Sequence, residues 1–133
     1  MDLIFLSLDE VLDLHRDQIV RYGGSAGLRD IGLLVSAVEM PKAFFGGRLL
    51  HEDPHAMASA YMFHIVQNHP FVDGNKRVGL AAALAFLGLN NLKLVADNDE
   101  VANLVLSVAQ GQTGKTAIAD FLRSKTVPRA HRK

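Results

Sequence analysis

The sequence predicts one all-α domain of about six helices. Three observations carry this. Apolar residues, 49% of the chain, recur mostly at helical spacing. Each such stretch comes with its own boundary signals, capping side chains at the start and Gly, Asn or Pro at the end. No internal repeat, low-complexity run or linker interrupts the series. A chain of 133 residues suits a single domain, and at about 150 residues a domain buries close to 70% of its unfolded surface, enough for one core.

Leu3 to Leu6 reads as a short strand. Ser7-Leu8-Asp9-Glu10 has the form of a capping box, and Leu8, Val11, Leu12, His15, Ile19 and Tyr22 follow on one helical face until Gly23-Gly24 stops it. A second helix starts at Asp30, turns Leu33, Leu34, Ala37 and Val38 inward, and ends at Pro41. Residues 41–52, with Phe44-Phe45-Gly46-Gly47, lack a helical period and read as a hairpin-like flap or a loop. Asp53-Pro54 opens a third helix that runs to about Asn68, because Pro70 disfavours helical geometry before it. A loop over 69–74 leads into a fourth, Ala- and Leu-rich helix from about Asn75 to Leu87. Leu92 to Ala96 reads as a short strand. Asp97 then caps a helix bearing Val101, Leu104, Val105 and Val108, and Thr113 caps the last, with Ile118, Phe121 and Leu122 inward. The domain is expected over 1–126, with 127–133 a basic, disordered tail.

Composition narrows function. Fourteen basic and fourteen acidic side chains give a formal net charge of +0, which lacks the electrostatic footprint of a general nucleic-acid binder. With no cysteine, disulfides, thiolate zinc sites and cysteine nucleophiles are excluded. The N-terminal stretch lacks the basic start and apolar length of a signal peptide, and no segment approaches the roughly 20 apolar residues of a membrane helix. A cytoplasmic protein with no membrane and no direct nucleic-acid partner is the expectation.

Two motifs invite over-reading. His51-Glu52-Asp53-Pro54-His55 matches H-E-x-x-H, but zinc chemistry needs both histidines on one face of a continuous helix, and Pro54 makes the helix begin between them. Gly114-Lys115-Thr116 resembles the end of a phosphate-binding P-loop, yet Ala109 replaces its first glycine and a helix precedes it instead of a strand.

His69-Pro70-Phe71-Val72-Asp73-Gly74-Asn75-Lys76-Arg77 is different in kind. One imidazole, one carboxylate, one amide and two cations stand in a loop entering a helix N-terminus, whose free N–H groups and positive dipole end suit phosphate. Lys76 and Arg77 occupy the first turn, where the dipole disfavours each cation by roughly 0.3–1 kcal/mol. Helix stability alone would place Asp or Glu there, so the pair implies an anion between them. Asp73 can hold a divalent cation bridging phosphate oxygens, or can instead pair with Lys76 or Arg77. His69 is suited to take a proton near neutral pH. Phe71 is a core anchor. His15 and His64 lie in helical patterns and read as packing or surface residues.

This nine-residue segment resembles the signature loop of the Fic/Doc superfamily, His-Pro-Phe-x-Asp/Glu-Gly-Asn-x-Arg. Arg21-Tyr22-Gly23-Gly24, Gly27-Leu28-Arg29-Asp30 and Phe86-Leu87 followed by Asn90 look like its death-on-curing (Doc) toxin branch. The resemblance implies an all-helical fold that binds ATP with Mg2+ and transfers part of it to a protein hydroxyl. By position it implies His69 as general base, Asp73 as the metal ligand, and Gly74, Asn75 and Arg77 as the phosphate-binding group.

Lys76 stands where the AMP-transferring branch has a second glycine, and Leu80 where it has a second arginine. Both features match the Doc branch, which resembles a kinase and transfers the γ-phosphoryl group, whereas Gly74 is shared with the AMP-transferring branch. The expectation is transfer to a Ser or Thr of a translation factor, with elongation factor Tu leading, and growth arrest as the outcome. Catalysis would fall to His69 and Arg77, with Gly74, Asn75, Lys76 and Arg77 holding phosphates. AMP transfer and a non-catalytic nucleotide- or partner-binding module are the alternatives. The resemblance also implies a Phd-type antitoxin whose C-terminal segment fills a groove. The 41–52 flap, with Phe44 and Phe45, reads either as a target-positioning element or as a packed loop.

Overall fold

The computed structural model describes residues 3–129. Six helices dominate: α1 (Leu8–Tyr22), α2 (Ile31–Glu39), α3 (Pro54–Asn68), α4 (Asn75–Leu89), α5 (Asn98–Ala109) and α6 (Lys115–Lys125). Four short strands accompany them: β1 (Phe44–Phe45), β2 (Arg48–Leu49), β3 (Leu92–Leu94) and β4 (Thr126–Pro128).

Most helix starts follow the sequence signals. The Ser7–Glu10 capping box closes reciprocally, Glu10 N donating to Ser7 Oγ at 3.1 Å and Ser7 N to Glu10 Oε1 at 2.9 Å. Asp30, Asp53 and Asp97 cap α2, α3 and α5. The start of α6 corrects the expectation: Gly114 occupies the cap without a side-chain bond, because Thr113 Oγ1 is engaged by Ser107 Oγ at 2.7 Å. Tyr22 is also corrected, since it is 68% exposed in a last turn that extends beyond the core.

Leu3 to Leu6 forms no strand, because side chains satisfy its backbone instead of a neighbouring chain. Leu6 N donates to Tyr61 Oη at 2.9 Å, and the Asn90 amide bridges Ile4 N and O, each at 2.9 Å. The disordered tail is corrected at Val127 and Pro128, which pair antiparallel with Lys93 and Leu92. Arg129 N extends that connection to Asn91 O at 2.8 Å. Residues 130–133 of that tail lie outside the described residues. Residues 41–52 form the hairpin: β1 pairs with β2 in the register Phe44↔Leu49, across Gly46-Gly47 with φ of 61° and 79° that only glycine adopts cheaply.

The core lies around α3, whose Met57, Tyr61, Met62 and Ile65 are fully buried against α2, α4 and α6. Burial pushes the Tyr61 hydroxyl up to about 12. The α3–α4 crossing is closest at Gly79, where an added Cβ would lie 2.6 Å from Val66 Cγ2 and 3.2 Å from Met62 O. Gly79→Ala gains helix propensity worth about 1 kcal/mol but overpacks the crossing by about 2–3 kcal/mol. A net loss of about 1–2 kcal/mol in urea denaturation is expected.

Lys115 Nζ lies 3.1 Å from His51 Nε2 and 3.0 Å from His64 Nε2, joining the base of the hairpin, α3 and α6. Burial first, then the Lys115 charge, holds His64 down to about 4, and His51 is lowered by the same two causes. Between pH 6.5 and about 4 the unfolded chain therefore binds more protons than the folded one. Stability is full above this window and falls as pH drops through it. Discounted for solvent at the half-buried His64, the loss is about 1–2 kcal/mol. The melting temperature should fall from pH 7 to pH 5, and less so in His64→Gln.

Candidate active site

The loop between α3 and α4 is built outward from Phe71. Its ring is buried and stacks on His15, with centroids 3.9 Å apart and planes 4° from parallel. The Asn75 side chain clamps the same residue, accepting from Phe71 N and donating to Phe71 O, both at 2.9 Å. The Asn75 side-chain amide is therefore buried and engaged within the loop. His15 Nε2 donates to Asp73 O at 2.9 Å, so this helical histidine braces the site as well as packing against it.

A second loop, residues 23–30, lies along the first. Val72 N donates to Gly27 O at 3.0 Å, and Leu28 forms a bridge with Phe71. Asp73 Oδ2 accepts from Ser25 N at 3.2 Å and Oδ1 from Gly74 N at 2.8 Å. These N–H donors, Ser25 first and then Gly74, hold the Asp73 carboxyl below the usual carboxylate range. The close approach depends on Gly24, with φ 110°, since an added Cβ would meet Asp73 Oδ2 at 2.5 Å.

Gly74, with φ 81°, sets the start of α4 in a left-handed conformation and supplies no cap. The first-turn N–H groups are therefore left for another acceptor, unlike those of α1, α2, α3 and α5. Lys76 is exposed, and Arg77 donates to Gln18 O at 3.3 Å and Gly23 O at 3.0 Å, at the carbonyl end of α1. Among the described residues neither cation forms an ion pair with Asp73, so the pairing alternative does not hold. Val66, His69, Val72, Asp73, Ala109 and the first turn of α4 line a cleft of about 420 Å³. His69 is exposed there, and among the described residues its imidazole makes no hydrogen bond to the protein.

The cleft thus presents a free imidazole, an ionised carboxylate and an uncapped cationic helix start together. That donor set fits a magnesium-bound triphosphate. Phe44 and Phe45 are 70% and 80% exposed on the hairpin and do not line the cleft. The two misleading motifs are dismantled: His51 faces Lys115 while His55 Nε2 meets Thr126 Oγ1 at 2.8 Å, and Lys115 turns to the two imidazoles. Among the described residues no group of three or more His, Asp or Glu side chains could hold a metal, and no helix is long and apolar enough to cross a membrane. His15, Gly24, Ser25 and Arg29 are the site-building residues that carried no assigned role in the sequence. The signals for them were the inward position of His15 and the Arg21–Gly24 and Gly27–Asp30 stretches that carry the family resemblance.

A model described as the Fic/DOC family matches residues 5–87, from the approach to α1 through most of α4. The chain is 33% identical over 121 residues to "Protein kinase doc" of Escherichia phage P1, covering 89% of this chain and 92% of that protein. It is 40% identical over 80 residues to "Toxin Doc" of Mycolicibacterium smegmatis, covering 60% of this chain and 62% of that protein.

Proposed function

Because the chain belongs to the Fic/DOC family, we propose that it is the toxin of a toxin–antitoxin pair and a kinase-like phosphotransferase, as the names of its two relatives suggest. The donor is ATP with Mg2+, and the acceptor is a Ser or Thr hydroxyl of a translation factor, elongation factor Tu being the leading candidate. The single observation that carries the reading is the α4 start: no side chain caps it, and Lys76 and Arg77 add charge where the helix dipole disfavours it.

ATP supplies the γ-phosphoryl group. Asp73, kept ionised by Ser25 N and Gly74 N, would hold the magnesium, and the first-turn N–H groups with Lys76 and Arg77 would hold phosphate oxygens. His69 accepts the target hydroxyl proton. The hydroxyl oxygen bonds to the γ-phosphorus as its bond to the β–γ bridging oxygen breaks, releasing ADP. Lys76 and Arg77 offset the charge of the transferring group. The Phe44-Phe45 hairpin, exposed and apolar, would meet the target segment.

An antitoxin partner of the Phd type belongs to the same reading. An open cleft of about 620 Å³ between α1 and α4, floored by Leu6, Leu14, Leu84 and Leu89, supports a groove-seated helical segment. The test is incubation with purified elongation factor Tu and ATP labelled at either the α or the γ position. Label transferred from γ alone is expected, transfer from α would replace the reading with AMP transfer, and transfer from neither would leave a binding module.

A further inference from the structure

We infer that Arg29 is the positioning residue for His69, an inference that rests on the proposed role of His69 as base. His69 is the C-cap of α3 and adopts a left-handed conformation with φ 53° and ψ 52°. A side chain disfavours that region, so the surroundings must hold it there. The last carbonyls of a helix lack intrahelical partners, and here one residue and its neighbour cover three in succession. Arg29 Nη2 donates to Asn68 O at 2.9 Å and Arg29 Nε to His69 O at 2.6 Å. The backbone N–H groups of Arg29 and Asp30 both donate to Pro70 O, at 2.7 and 3.0 Å. The guanidinium also sets a positive charge at the negative end of the α3 dipole.

This matters because the imidazole has no partner of its own. Where a base is oriented by a third side chain, its ring is steered directly. Here, among the described residues, no such bond to the His69 ring exists, so the ring goes where the backbone at 68–70 sends it. Asn75 and His15 fix Phe71 and Asp73 on the far side of Pro70. The His69 N–H keeps a helical bond to Ile65 O at 3.2 Å, whereas among the described residues its carbonyl is bonded by Arg29 alone. Arg29 is not part of the cleft lining, which assigns it to geometry and not to nucleotide contact.

Two measurements test this, one independent of catalysis. In the nucleotide-free protein, Arg29→Ala should shift the His69 ring Hε1 resonance while leaving those of His51 and His55, which face Lys115 and Thr126, in place. In phosphoryl transfer, Arg29→Ala should lower kcat about tenfold with KM for Mg-ATP within about twofold of the parent. Arg29→Lys, keeping the charge but not the two-pronged donor, should recover part of the loss. An unchanged His69 ring resonance, or a parental kcat in Arg29→Ala, overturns the inference. So does a KM that rises in step with the fall in kcat, since that marks a nucleotide contact. If the parent protein transfers no phosphoryl group, the enzymatic reading fails, and the resonance measurement still decides whether Arg29 positions the ring.

Discussion

Replacing His69 with alanine is expected to lower phosphoryl transfer to the target by about 10²–10⁴-fold, the usual worth of a positioned general base. Mg-ATP affinity should stay within about twofold, because the proposed phosphate- and metal-holding groups are Asp73, Lys76, Arg77 and the first-turn amides, all left in place. The two readouts must therefore separate. His69 is exposed and among the described residues makes no internal hydrogen bond, so the substitution should leave the melting temperature essentially unmoved. A variant that transfers phosphoryl within about threefold of the parent would remove His69 from the role of base.

Phe71→Ala should be the most damaging single change in the loop for stability, at about 3–5 kcal/mol in urea denaturation. The ring is 1% exposed, so the substitution opens a cavity beside α1 and strips His15 of the stacking partner 3.9 Å away. For a domain of this size that corresponds to a fall in melting temperature of roughly 10–20 °C. The Asn75 amide would still close on the residue 71 backbone, since it touches only N and O. Phe71→Leu, which keeps most of the volume, should lose well under half as much. A loss below about 1 kcal/mol for Phe71→Ala would show that the Asn75 clamp alone anchors the loop.

Local grammar carried the sequence reading far. Ser7-Leu8-Asp9-Glu10, Asp30, Asp53-Pro54 and Asp97 place four helix starts, because a cap is satisfied by atoms two or three residues away. Pro54 also dismissed the H-E-x-x-H motif for the reason the fold bears out, since α3 begins at that residue and His51 lies outside it. Segments whose partners are distant in sequence were not legible. Leu3–Leu6 has the composition of a strand but bonds to Tyr61 and Asn90 side chains. Val127 and Pro128 look like part of a charged tail, yet they complete a pairing with Leu92–Leu94.

The candidate site divides along the same line. The sequence alone determined which chemistry is present and in what order: a base, a carboxylate, a permissive glycine and two cations at a helix start. Their spacing along nine residues is itself a covalent constraint. Tertiary structure decided how the groups of the loop are held. The Asn75 amide is consumed internally by Phe71, Arg77 leans on the carbonyl end of α1, and Asp73 is held by Ser25 N across 48 positions of chain. A hydrogen bond between segments that far apart leaves no periodic or capping signature, so His15, Gly24 and Arg29 became visible as parts of the site only once α1 and the 23–30 loop were packed against it.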